Sequence, residues 1–148
     1  MDFYPAIWNV LHDGSIISIQ GAVPGIVRFA VSIPYLRKRF PDPGKTIQIT
    51  LTECTRFAYR CYDAQNFCTD LSAIAASEPE ILSAEMRADM SEICCVSGIL
   101  EVRSSNGSLS LDSGRAITLQ ELINVSEEYW IEWSEHAKKQ NRRNAQDI

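Results

Sequence analysis

In three runs between residues 27 and 61 the apolar residues of this chain fall on every second position, and that alternation limits what it can fold into more than any other feature. Val27, Phe29, Val31 and Ile33 alternate with Arg28, Ala30 and Ser32. Ile47, Ile49 and Leu51 alternate with Gln48 and threonines, and Phe57, Tyr59 and Cys61 with Arg56 and Arg60. A period of two sends successive side chains to opposite faces of a strand, so these runs predict antiparallel strands with one dry and one wet face. SIISIQGAV, Pro24-Gly25 and GIVRFAVSI read as two consecutive antiparallel strands. EILSAEMRA, SEICCVSG with ILEVRSS, and SLSLDSG supply further strands. Asn106-Gly107 between LEVRSS and SLSL predicts a two-residue hairpin turn, because both residue types tolerate positive φ. The expectation is a single antiparallel sheet of about six to eight strands.

Helices punctuate this pattern. Residues 5–11, PAIWNVL, suit one or two helical turns with Pro5 where a missing N–H is tolerated, and the turn His12-Asp13-Gly14-Ser15 ends them. YLRKRFPDPGK, with its prolines and Gly44, predicts an exposed loop holding a single helical turn. A short helix is expected near residues 70–76, ending before Pro79. The clearest element is C-terminal, where Thr118 and Glu121 form a capping-box pattern. Steps of about 100° then place Leu119, Leu122, Ile123, Ser126, Tyr129, Trp130, Trp133 and Ala137 on one arc. Glu121, Glu128, Glu132 and Glu135 fall on the opposite arc, and Lys138, Lys139, Arg142 and Arg143 follow where positive charge suits a helix C-terminus. Strands closed by a long amphipathic helix read as α+β. Tyr59, Tyr62, Trp130 and Trp133 are expected in the core.

Size and charge bound the function. With 148 residues, 45% apolar and 22% charged, the chain reads as one globular domain, residues 1–148, with 139–148 as a tail. Its net charge of −5 is uneven: residues 61–137 hold 14 acids against 3 bases. An acidic middle argues against nucleic-acid binding and suits a basic partner. The apolar runs are too short for a membrane span, and the N-terminus lacks the basic region of a secretory signal. Cys54, Cys61, Cys68, Cys94 and Cys95 are odd in number and match no zinc spacing, so they read as structural thiols in a reducing cytoplasm. Cys94 and Cys95 should point to opposite faces of one strand.

No catalytic residue, cofactor or metal is expected. His12 precedes Asp13, but adjacent side chains point different ways, and the only other histidine, His136, lies near the end of the closing helix. No G-x-S-x-G elbow or glycine-rich phosphate loop is present. His12, Asp13 and Gly14 are therefore read as a structural turn. Glu78 and Glu80 read as solvated charges. Arg37, Lys38, Arg39 and Lys45 are candidate anion-binding residues on their loop, and Glu121, Glu128, Glu132 and Glu135 are candidate partner-binding residues.

The opening stretch Leu11-His12-Asp13-Gly14, followed by Ser15-Ile16-Ile17-Ser18-Ile19, resembles the F-H-D-A or L-H-D-G start of small bacterial proteins, some of them immunity proteins of polymorphic toxin systems. Gly14 departs from the alanine form. The resemblance implies a non-catalytic cytoplasmic protein that binds and neutralises a toxin, a basic toxin domain given the acidic middle. Two other readings stand beside it. One is a small-molecule-binding protein or enzyme with a pocket near His12 and the Arg37–Lys45 loop; the other is a structural subunit of a larger assembly. The sequence leaves oligomeric state open.

Overall fold

The computed structural model describes residues 6–146, with side chains through Arg143. The Pro5 position and residues 147–148 lie outside the described residues. Along the chain run α1 (Ala6–Val10), β1 (Ser15–Gly21), β2 (Gly25–Ser32), α2 (Pro34–Arg37), β3 (Thr46–Cys54) and β4 (Arg56–Cys61). They are followed by α3 (Leu71–Ala76), β5 (Ile81–Arg87), β6 (Met90–Cys95), β7 (Gly98–Arg103), β8 (Asn106–Leu111), β9 (Ala116–Ile117) and α4 (Leu119–Gln146). The fold is α+β and its strands pair antiparallel, as the alternation requires. They form two sheets, however, in the orders β1-β2-β3-β8-β9 and β4-β7-β6-β5.

Two bent arms explain why one sheet became two. β3 and β4 are separated by Thr55 alone, and β7 and β8 by Ser104-Ser105. The arms run side by side: Thr52 stands opposite Asn106, Arg56 stands opposite Arg103, and the Thr55 N–H donates to the Arg103 carbonyl at 2.8 Å between them. Glu53, at φ 49°, sits at the bend. Each arm therefore gives one half to each sheet. The hairpin expected at Asn106-Gly107 does not form. Both residues lie in β8 opposite Thr52 and Leu51, and neither has positive φ. A ladder that buries Leu109 and Leu111 against β3 outweighs a local turn preference.

Both sheets surround one hydrophobic core. Trp8 from α1 stacks on Phe29 at 5.3 Å, and Phe29 meets Phe57 of the second sheet at 5.8 Å. The sheets also touch where β1 and β5 begin. Ser15 bridges Glu80, the Ile16 N–H donates to the Pro79 carbonyl, and the Ile81 N–H donates to the Gly14 carbonyl. Asn9 closes part of the β5 edge: its amide accepts from the Ala84 N–H and donates to the Ala84 carbonyl, as a neighbouring strand would. α3, capped by the Asp70 carboxylate accepting from the Ala73 N–H, packs against β1 and buries Ile74.

α4 starts as its capping box predicts, with the Glu121 N–H donating to Thr118 Oγ1 at 3.0 Å. Leu122 is fully buried, and Leu119, Val125 and Tyr129 pack against the core beside α1 and α2. The helix continues through Gln146, into the segment expected as a tail. Among the described residues no helix is long and apolar enough to cross a membrane.

Candidate protein-docking surface

α4 has 28 residues, which at 1.5 Å per residue makes it about 42 Å long. Its first half is anchored through the His12 turn. The His12 ring stacks on Trp130 at 5.3 Å with 19° between planes, and its Nδ1 lies 2.8 Å from the Asn9 carbonyl. The Tyr35 hydroxyl donates to the His12 carbonyl at 2.7 Å, and its ring packs against Tyr129 and Trp130. Burial, then the charge of Asp13, pushes the Tyr35 hydroxyl well above its ordinary range, so it stays a donor. The nearest His12–Asp13 approach is 4.0 Å, beyond hydrogen bonding. The His12 ring and carbonyl thus join the turn to α4 and α2. The left-handed position of that turn is Asp13, at φ 69°, while Gly14 is a close-approach site where a Cβ would lie 2.6 Å from the Val31 side chain.

The second half of α4 leaves the body. From Ile131 through Arg143 the described side chains are exposed except half-buried Ala137; Ile131 is 59% exposed and Trp133 56%. Trp133 touches Trp130 edge-on at 5.8 Å and otherwise faces outward. Of the aromatics expected in the core, Tyr59 is buried and Trp130 half-buried, but Trp133 and Tyr62 are more than half exposed. A helical wheel tells which face an aromatic shares; it does not tell where along the helix the body ends.

The acidic stripe divides in two. Glu121 is occupied by the capping box and by Arg115 at 3.7 Å. Glu132 pairs with Arg39, whose guanidinium also lies over Tyr129 at 5.3 Å, and the Arg39 hydrogen bond holds the Glu132 carboxyl below its usual range. Glu128 and Glu135 remain exposed, with no ion-pair partner among the described residues, and Glu127 is exposed beside them.

On the α2 loop the four cations separate in the same way. Arg37 is 1% exposed and its donors are spent inside the fold. It donates to Asp112 Oδ1 at 2.8 and 3.0 Å and to the carbonyls of Thr46, Asp42 and Pro43 at 2.9 to 3.1 Å. Asp112 Oδ2 accepts in turn from the Lys45 and Thr46 N–H groups. Burial by itself would raise the Asp112 carboxyl, but these hydrogen bonds outweigh it and bring it down to about 2. Gly44 is required here, since a Cβ would fall 2.0 Å from Asp112 Oδ1. With Arg39 on Glu132, only Lys38 and Lys45 of the four lack an ion pair among the described residues. They border a 320 Å³ depression with Ser32, Pro34, Arg37 and Gly44, which His12 does not line.

All five cysteines are free thiols. Cys95 is buried and Cys94, on the other face of β6, only partly so. Burial pushes the Cys95 thiol up to about 12 and raises Cys54 as well, which makes both poor nucleophiles. Among the described residues no group of three or more His, Cys, Asp or Glu is placed to hold a metal ion. The chain matches no family model, no curated protein and no solved structure.

Proposed function

We propose that this chain is a non-catalytic protein-binding module that grips a basic partner with the projecting half of α4. The observation that carries the reading is Trp133, exposed on the half of α4 that leaves the body, with Ile131 and the unpaired carboxylates of Glu128 and Glu135 exposed on its opposite face. An exposed tryptophan offers a large apolar anchor of the kind that dominates interface energetics. Carboxylates on the same projecting half speed the approach of a basic surface and repel an acidic one. The likeness of Leu11-His12-Asp13-Gly14 to immunity-protein openings supports a toxin domain as that partner, met in the cytoplasm.

The test is affinity capture from the native host with wild type, Trp133→Ala and the double variant Glu128→Lys/Glu135→Lys. A basic protein held by wild type and lost from both variants, with melting temperatures unchanged, is the expected result. With that partner purified, charge reversal should slow association about tenfold at low salt and less at high salt. Equal capture by all three proteins would remove α4 as the docking surface.

A further inference from the structure

Past its anchoring turns α4 carries its charges in two blocks. Acids come first, Glu127, Glu128, Glu132 and Glu135; bases follow, Lys138, Lys139, Arg142 and Arg143. At about 100° per residue all eight fall within an arc of about 160°, so the two blocks share one face of the helix. Leu122 and Ser126, the buried residues of α4, lie on the opposite side, which turns the charged face away from the body. All eight side chains are exposed.

These charges are almost entirely unspent. Glu132 pairs with Arg39, but the other acids and all four bases have no ion pair among the described residues. That holds even for Glu135, which stands three and four residues before Lys138 and Lys139, where a pair within the helix could form. The helix dipole accounts for bases near a C-terminus, because it acts within the last turn or so. It does not account for a block of acids on the same face over the turns before them.

We propose that this face is the docking site for a second copy of the chain, the two α4 helices lying antiparallel. A two-fold axis between residues 135 and 136 sets Glu128 opposite Arg143 and Glu132 opposite Lys139, each pair made twice. Glu127 then stands near Arg142 and Glu135 near Lys138. The acids of each copy meet the bases of the other, whereas a parallel arrangement opposes like charges. Each body packs on the far side of its own helix and stays clear of the seam. Ile131 is the one large apolar side chain on this face, so the contact is made chiefly of exposed ion pairs. Such pairs contribute little each and are screened by salt, which makes the dimer weak and reversible. Trp133 lies on the other side of the helix, so the inference stands whatever that residue binds. A basic partner and a second copy would compete for Glu128 and Glu135.

Sedimentation equilibrium of the full chain tests this at about 10 mM salt, where charges act over about 30 Å, and near 1 M, where they act over about 3 Å. The mass should rise with concentration toward two chains at low salt and stay at one chain at high salt. Glu127→Lys/Glu128→Lys/Glu135→Lys makes the face basic throughout, and Lys138→Glu/Lys139→Glu/Arg142→Glu/Arg143→Glu makes it acidic throughout. Each variant alone should dimerise about tenfold more weakly or worse, since attractive pairs become like-charge contacts. Mixed together they should pair at least as tightly as wild type, which also shows that both fold. Zero-length coupling of carboxyls to amines, in a mixture of light and isotopically heavy wild type, should join Glu132 or Glu135 of one copy to Lys138 or Lys139 of the other. A single-chain mass at millimolar protein and low salt overturns the proposal, as does a dimer that survives high salt or either charge reversal. A dimer lost in Trp133→Ala but kept in both reversed variants puts the contact on the opposite face and overturns it equally.

Discussion

Arg37 and Tyr59 are both buried polar side chains, and the fold treats them in opposite ways. Around Arg37 the hydrogen-bonding groups are matched: carboxylate, three carbonyls and two backbone N–H groups converge on one guanidinium–carboxylate pair. Around Tyr59 nothing converges, and its ring tip packs against Gly98, where a Cβ would fall 2.8 Å from the hydroxyl. A satisfied buried network fixes structure, here by tying the α2 loop to the turn after β8. A hydroxyl with no protein partner fixes nothing and is left to water. Arg115 strengthens the contrast, because its bidentate contact with Asp42 fastens the same loop a second time.

The comparison can be broken most forcefully at the clamp. Arg37→Met should destabilise the protein by about 3 kcal/mol, because the carbonyls of Thr46, Asp42 and Pro43 lose a buried donor and the solvent-accessible Asp112 carboxylate loses its ion pair. Urea denaturation measures this, and a loss under 1 kcal/mol would mean that water replaces the guanidinium freely. The pH dependence carries the same information. Asp112 has a depressed carboxyl in the fold, so its contribution is complete above its unfolded value near 4 and is lost as pH falls toward about 2. Asp112→Asn should flatten that acid limb of the stability profile.

A smaller effect separates the two halves of α4. Trp130→Ala should cost about 2 kcal/mol, less than a fully buried tryptophan, since it removes the stack on His12 and the contact with Tyr35. Trp133→Ala should stay within about 0.5 kcal/mol, as substitutions at exposed positions do. Equal costs in thermal unfolding would show that the projecting half is held by contacts as firm as the anchored half. His12→Ala comes next at about 1 kcal/mol, the size of a lost hydrogen bond, without changing partner capture in the folded protein.

Tyr59→Phe is the smallest and the most discriminating. Removing a hydroxyl that bonds nothing should leave stability unchanged or raise it by up to about 1 kcal/mol. A loss above that size, in the same urea titration used for Arg37→Met, would show that the hydroxyl is satisfied in solution and that the two sites do not differ as described.

Local chemistry by itself determined much of this protein. Strict alternation placed Val27, Phe29, Ile47, Ile49 and Phe57 inside, because a strand has no other way to sort its faces. The capping box started α4 at its observed place, and Asp70 and Pro79 bounded α3, since these signals act within one turn of chain. Tertiary structure alone decided the rest. The bend at Glu53–Thr55, which splits one expected sheet into two, overrode the local turn signal of Asn106-Gly107 through a ladder with residues more than fifty positions away. Whether Arg37 was a free cation depended on Asp112, 75 residues on, and whether Trp133 was core depended on where the body stops beneath α4. A 210 Å³ depression where the two sheets meet joins Ser15, Tyr59, Glu80 and Val96 from four separated stretches, and Tyr59 reads in sequence as one more inward residue of β4. Pattern reports which side of an element a residue occupies; burial, charge pairing and open space belong to what the other elements bring against it.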